Sequence, residues 1–145
     1  MKKNIIKNEK GVTLMVLMLT IVTLAILAGF AIRNMDTGID IRNYNYMCAD
    51  IELLESKIMV YYNEYNYIPI RGTAFNAKSM LNGQGSSRDN DNYYEIDISQ
   101  LQNITLYYGG GTVNDKNVYI INEQSHEVYY LQGTVYENAT YYKER

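Results

Sequence analysis

Side chains with catalytic chemistry are few in this sequence, and they form no catalytic set. His126 is the only histidine and Cys48 the only cysteine among the 145 residues. A Ser-His-Asp or Cys-His arrangement needs a histidine beside the nucleophile, but we expect His126 to be exposed in a hairpin turn. A single cysteine excludes an internal disulfide and a cysteine-based metal site, and we expect Cys48 to be buried on a helix face. The sequence therefore favours a protein that is not an enzyme.

Oxygen ligands for a metal ion are concentrated in one polar loop. Asp89 and Asp91, with Glu95 and Asp97 close behind, are candidate ligands for calcium, although their spacing does not match an EF-hand. The three glycines at 109–111 are not followed by Lys-Ser/Thr and open no helix, so they indicate a turn and not a phosphate loop. We expect no cofactor, and only Asp89 and Asp91 remain as calcium candidates.

Charge is distributed unevenly along the chain. The net charge is −3, but residues 1–11 carry +3 and the remaining 134 residues carry −6. A protein that binds nucleic acid through electrostatic attraction needs a basic face on its folded part. Because the folded part is acidic here, we expect no nucleic-acid partner of that kind.

A long uncharged segment follows the basic N-terminus. From Val12 to Ile32, 21 residues have no charged side chain. As a helix this segment would cover roughly 30 Å, the thickness of the hydrocarbon layer of a bilayer. The basic flank predicts a cytoplasmic N-terminus, with residues 33–145 on the other side of the cell membrane. Three threonines within the segment have two interpretations, hydrogen bonding to the preceding helical turn or polar contact between packed helices.

The border between the basic and apolar segments resembles the type IV prepilin signature. Lys10-Gly11 ends the basic leader, and Val12-Thr13-Leu14-Met15 opens the apolar helix. This resemblance implies cleavage after Gly11 by a prepilin peptidase and N-methylation of Val12. Most pilins have Phe or Met in place of Val12, and Glu in place of Val16, where the carboxylate is thought to neutralise the N-terminal ammonium of a neighbouring subunit. Minor pseudopilins and divergent Gram-positive pilin-like proteins also lack this Glu, so the resemblance leaves open whether the subunit is major or minor.

The resemblance implies a structural subunit of a type IV pilus, a competence system or a type II-like secretion filament. Its partners would be copies of itself or other pilin-like subunits, the prepilin peptidase, an assembly motor platform and the membrane. The side chains expected in the filament core are Val12, Leu14, Val16, Leu17, Leu19, Ile21, Leu24, Ile26, Leu27 and Phe30. Two alternatives remain: a single-pass anchored extracytoplasmic binding domain that does not polymerise, and a secreted domain cut near Ala31.

Helical periodicity continues beyond the apolar segment. The residues Met47, Ile51, Leu54, Ile58, Tyr61 and Tyr65 recur at alternating steps of four and three, which predicts an amphipathic helix with charged residues, including Asp50, on its other faces. We expect one helix over 12–66, with a possible interruption at 36–40 around Gly38. The segment ending in Ile68-Pro69 resembles the end of the first helix in type II secretion pseudopilins, and the proline prevents the helix from continuing.

Short strand-like segments dominate the rest of the chain. We expect a connector over 70–92 with a possible short helix at 76–81, followed by strands at 93–98, 104–108, 117–121, 127–131, 134–136 and 140–142. Such short strands pair as antiparallel hairpins, which would cover the helix on one face. The expected fold is therefore α+β and pilin-like, divided into a leader (1–11), a membrane or filament-core helix (12–32), an amphipathic continuation (33–68) and a globular head (69–145). Adjacent tyrosines in a strand should place one ring in the core and one outside.

Overall fold

The protein is described by a computed structural model that covers residues 5–85 and 90–145, without the side chains of residues 5–12, 33, 34 and 36. The chain divides into two compact units, Met1–Ile39 and Asp40–Arg145. One helix, α1, runs over Ile5–Tyr65 and a small antiparallel sheet follows it, so the layout is α+β as predicted. The backbone is helical through Gly38, and the possible interruption at 36–40 is not present.

The end of α1 is determined by the backbone at Asn66. This residue has a φ of 66° and donates its backbone N–H to the carbonyl of Tyr62 at 2.8 Å. Asparagine tolerates the left-handed conformation better than most residues, and that conformation satisfies a carbonyl at the end of a helix. The helix therefore ends at Tyr65, within one residue of the predicted position.

The globular unit, residues 40–145, contains a four-stranded sheet and a separate hairpin. Strands β1 (Ile70–Phe75), β2 (Tyr93–Ile96), β3 (Tyr119–Asn122) and β4 (Val128–Tyr130) lie in the order β1-β2-β3-β4, and every neighbouring pair is antiparallel. Strands β5 (Thr134–Tyr136) and β6 (Ala139–Tyr141) form the hairpin. A single 3₁₀ turn at Ile98–Gln100 follows β2.

Three sequence-based assignments in this unit were wrong. Strand β1 lies in the predicted connector, where its irregular pairing around Gly72, with a φ of 78°, hides the usual alternation. The predicted strand at 104–108 is a loop, because backbone N–H groups at its end bind a side chain of α1. The possible helix at 76–81 is a series of turns. The ends of the other predicted strands are confirmed within about two residues, including 93–98, which ends at Ile96.

The core has two layers, one on each face of the sheet. On one face the helical residues Met47, Ile51, Leu54 and Ile58 pack with Ile96, Tyr119, Ile121, Val128 and Tyr130. On the other face the buried residues are Ala77, Leu81, Tyr93, Val118, Ile120, Tyr129, Leu131 and Tyr142. Tyr129 and Tyr130 are therefore both buried, whereas the sequence predicted one ring in the core and one outside. In this second layer, the turns after β1 and the C-terminal segment pack against the strand residues.

Candidate functional site: an exposed apolar helical segment

The apolar segment of α1, residues 13–32, has no protein cover in the described chain. Every side chain described in this range is exposed. The large members predicted for a filament core are 53–65% exposed: Leu14, Val16, Leu17, Leu19, Ile21, Leu24, Ile26, Leu27 and Phe30. A helix that is apolar on all sides is stable only when lipid or other apolar helices surround it. Gly11 lies on α1, while the side chain of Val12 is outside the description.

By length and composition, α1 is suited to crossing a membrane. It is the one helix in residues 5–85 and 90–145 that meets this criterion, and the apolar window is not buried by the rest of the chain. A signal sequence near an N-terminus would meet the same criterion. The observation therefore indicates a possible membrane anchor.

Two of the three threonines in this segment satisfy their hydroxyl groups within the helix. Thr20 donates to the carbonyl of Leu17 at 2.8 Å, and Thr23 lies within hydrogen-bond distance of the carbonyls of Leu19 and Thr20. Such bonding to the preceding turn means that neither hydroxyl requires a neighbouring helix as acceptor. The first of the two interpretations therefore applies to Thr20 and Thr23.

The globular unit is organised around a buried carboxylate on α1. Asp50 is 2% exposed, and its Oδ2 accepts hydrogen bonds from the backbone N–H groups of Tyr107 and Tyr108 at 2.9 and 3.0 Å and from the hydroxyl of Tyr119 at 2.7 Å. Burial, together with donation to this carboxylate, raises the pKa of the Tyr119 hydroxyl. The placement of Asp50 on a charged outer face of the helix was wrong.

The spacing of Asp50 from the apolar residues of α1 is a signal in the sequence that would have placed it on the buried face. It lies three residues after Met47 and four before Leu54, which puts it on the same helical face as the apolar residues. A carboxylate on a core-facing stripe must find hydrogen-bond donors. Here the loop at 106–108 supplies two of them, so Asp50 fixes that loop against the helix.

Of the candidate calcium ligands, the structure describes Asp91, Glu95 and Asp97, and each has a hydrogen-bond or ion-pair partner. Asp91 is buried and accepts a hydrogen bond of 3.0 Å from the side chain of Asn122. Glu95 pairs with Arg71, and Asp97 accepts from the backbone N–H of Ser99. Asp89 lies outside the described residues. No cluster of three or more His, Cys, Asp or Glu side chains suited to a metal occurs within residues 5–85 and 90–145.

The remaining reactive side chains lie apart from one another. His126 is exposed in the turn between β3 and β4, as predicted, and its ring lies 5.1 Å from that of Tyr62. Cys48 is half-buried on α1 beside Tyr44, and burial raises the pKa of its thiol. A thiol with a raised pKa is a poor nucleophile at neutral pH.

Comparison with known protein families, with curated proteins and with solved structures found no match for this chain. The exposed apolar segment and the α+β layout are therefore the features of this chain that bear on its function.

Proposed function

We propose that this protein is a pilin-like or pseudopilin-like structural subunit that polymerises through residues 12–32. Its leader, residues 1–11, is removed by a prepilin peptidase after Gly11, and Val12 becomes the methylated N-terminus. The subunit serves a type IV pilus, a competence system or a type II-like secretion filament. Before assembly it is anchored in the cell membrane with a cytoplasmic N-terminus and an extracytoplasmic globular unit.

One observation carries the proposal: the complete exposure of an apolar helical segment directly after a basic leader that ends in Lys10-Gly11. Cleavage before an apolar segment, instead of after it, keeps that segment as an anchor. Because lipid and a bundle of apolar helices are similar environments, an assembly motor can transfer the helix from one to the other at little cost in burial. The α+β layout, with a helix packed on a small antiparallel sheet, agrees with this architecture.

Val16 refines the proposal. A cleaved chain carries an ammonium group at Val12, and an unpaired ammonium in a dry helical bundle is costly. The sequence has no carboxylate at position 16 to neutralise that group on a neighbouring subunit. This favours a minor or divergent subunit, whose partners in the filament are other pilin-like proteins.

The first experiment determines the mature N-terminus of the protein isolated from its native cell, by intact mass and N-terminal peptide mapping. We expect a chain that begins at Val12 and carries a methyl group. Gly11→Leu should block cleavage, while Val12→Phe, which introduces the residue more common in pilins, should not. A chain that retains residues 1–11 would support the anchored binding domain instead, and a chain that begins near Ile32 would support a secreted domain.

A second experiment tests polymerisation separately from processing. Leu19→Arg places a charge on the exposed apolar segment and should prevent recovery of the protein in sheared filaments, because a buried unpaired charge destabilises helix packing. Leu19→Met conserves volume and polarity and should assemble normally. The proposal of polymerisation would be contradicted if the cleaved protein were absent from filaments in both the wild type and Leu19→Met.

A further inference from the structure

A cluster of three tyrosines, the half-buried Tyr61 and the exposed Tyr65 and Tyr67, surrounds the end of α1 in the globular unit. The ring of Tyr61 lies 4.6 Å from that of Tyr65 and 5.4 Å from that of Tyr67, and the Tyr65 and Tyr67 rings are 6.1 Å apart. Tyr65 is 47% exposed and Tyr67 is 55% exposed. The left-handed backbone at Asn66 reverses the chain, so that Tyr67 comes back beside the last turn of the helix. Clustered exposed rings form a binding surface more often than rings scattered singly.

A chain of hydrogen bonds holds this cluster in place. The hydroxyl of Tyr61 donates to Oε1 of Gln100 at 2.5 Å and lies 2.9 Å from the hydroxyl of Tyr67. The single proton of the Tyr61 hydroxyl thus has two acceptors within reach, Gln100 and Tyr67. Gln100 in turn donates to Asp97 at 2.8 Å. The rings and the polar groups are therefore oriented before any ligand arrives, which lowers the entropic cost of binding.

The cluster presents apolar ring faces next to oxygen atoms that can accept further hydrogen bonds. The Tyr67 oxygen has a lone pair beyond the one directed at Tyr61, and the carboxylate of Asp97 has lone pairs beyond those used by Gln100 and Ser99. Hydrogen bonds from Ser99 and Gln100 lower the pKa of Asp97, so the carboxylate is ionised at neutral pH. The three rings are inclined to one another by 40–83°, so the surface offers separate ring faces, and not one flat platform, beside hydroxyl-accepting oxygens.

We propose that the surface formed by Tyr61, Tyr65, Tyr67, Gln100 and Asp97 binds a neutral glycan built of β-linked glucose-type sugars. In such sugars all ring substituents are equatorial, so each ring face carries only C–H groups and packs well against an aromatic ring. The hydroxyl groups at the ring edge donate to Asp97 and Tyr67. Glu64 and Asp97 lie next to the cluster, the nearby Arg71 is paired with Glu95, and the net charge is −6 over residues 12–145, so the surface does not favour anionic glycans or nucleic acids.

The test measures binding of cellohexaose and of chitohexaose to the full chain in lipid nanodiscs, by isothermal titration calorimetry. Glycoside detergents are avoided because their sugar headgroups would compete for the surface. We expect Tyr65→Ala and Tyr67→Ala each to weaken binding of at least one oligosaccharide roughly tenfold, since each removes a large apolar contact. Tyr107→Ala is the matched control, because Tyr107 is 62% exposed but stacks on Tyr46 outside the cluster. It should change the affinity less than about twofold.

Two further measurements keep the proposal testable if an alanine variant unfolds. Saturation-transfer NMR on the unaltered chain should give the strongest signals at the ring-face C–H protons of the bound sugar. The affinity should change little with salt, because the ligand is neutral. Absence of binding to both oligosaccharides, equal loss in Tyr107→Ala, or a steep dependence on salt would overturn the proposal. Since the surface lies outside residues 12–32, failure of this test leaves leader cleavage and polymerisation unaffected.

Discussion

The hydroxyl of Tyr119 on β3 donates a hydrogen bond of 2.7 Å to the carboxylate of Asp50 on α1, across 69 residues of sequence. Both side chains are in the core, at 0% and 2% exposure. The same carboxylate accepts two backbone N–H groups from the loop at 106–108. One ionisable side chain thus connects the helix, the sheet and a loop that has no regular structure of its own.

Removal of the Asp50 carboxylate should destabilise the globular unit strongly. Asp50→Leu leaves several buried donors without an acceptor and should lower the free energy of unfolding by about 3 kcal/mol or more. Asp50→Asn keeps one oxygen, which can occupy the position of Oδ2, and should cost less, about 1–2 kcal/mol. Urea unfolding of the full chain in micelles, followed by near-ultraviolet circular dichroism, would measure both. Glu52→Gln on the exposed face should change stability by less than about 0.5 kcal/mol; equal effects at positions 50 and 52 would contradict this account.

Stability should fall at alkaline pH. Burial raises the pKa of Tyr130 to about 12, and burial also raises the pKa values of Tyr119 and Tyr129. Unfolded tyrosines ionise near pH 10, so above that pH the unfolded state holds fewer protons than the folded state. The contribution of Tyr130 is complete below about pH 10 and is lost as the pH rises through about 12. The contributions of Tyr119 and Tyr129 are likewise complete below about pH 10 and decrease above it.

Each of these tyrosines should add a slope of up to about 1.4 kcal/mol per pH unit in that window. Urea unfolding at a series of pH values from about 8 to about 11 would measure the slope. A free energy of unfolding that stays constant across the series would show that the three hydroxyls ionise freely in the folded protein.

Gly133 should not tolerate a side chain. Its φ is 70°, and an added Cβ would lie 2.9 Å from the carbonyl oxygen of Tyr141. Gly133→Ala should therefore lower the free energy of unfolding by about 1–3 kcal/mol, through backbone strain and this contact. Gly110→Ala is the matched control, because no atom lies within 4 Å of its added Cβ. A thermal melt of both variants distinguishes the two positions, and equal midpoints would contradict the strain.

The second core layer should contribute as much to the free energy of unfolding as the layer that packs against α1. Leu81 is fully buried in the turns after β1. Leu81→Ala should cost about 2–5 kcal/mol, the range for a cavity in a packed core. Val135→Ala, at a position that is 46% exposed, should cost less than about 1 kcal/mol. Similar small values for both variants would mean that the turns cover the sheet without being packed on it.

Periodicity alone predicted the helix and most strands correctly. The apolar residues Met47, Ile51, Leu54 and Ile58 are buried where their spacing placed them, because a regular repeat reports directly on a buried face. Tyr65, at the end of the same stripe, is exposed, since the sheet does not extend to cover it. Hydrogen bonds between residues far apart in the chain leave no such repeat in the sequence, so periodicity does not predict them.

The features missed from the sequence depend on contacts between distant residues. The spacing of Asp50 from Met47 and Leu54 indicates burial, but its donors lie more than fifty residues away in the chain and could not be identified from that spacing. Strand β1 has no alternation to detect, since its burial pattern is exposed through Arg71–Ala74 and its pairing is irregular. The tyrosine cluster needed the left-handed backbone at Asn66, which sequence spacing does not reveal.

The separation of contacting residues also determines the order of folding. Met47 accepts a hydrogen bond from Thr134, and Tyr44 accepts one from the backbone of Arg145, across 87 and 101 residues. During synthesis α1 is made before its partners in the globular unit. Topologies with such distant contacts fold slowly, and their apolar surface stays exposed until the distant segments are available. The apolar face of the amphipathic part of α1 is therefore exposed to solvent until the strands that cover it have been synthesised.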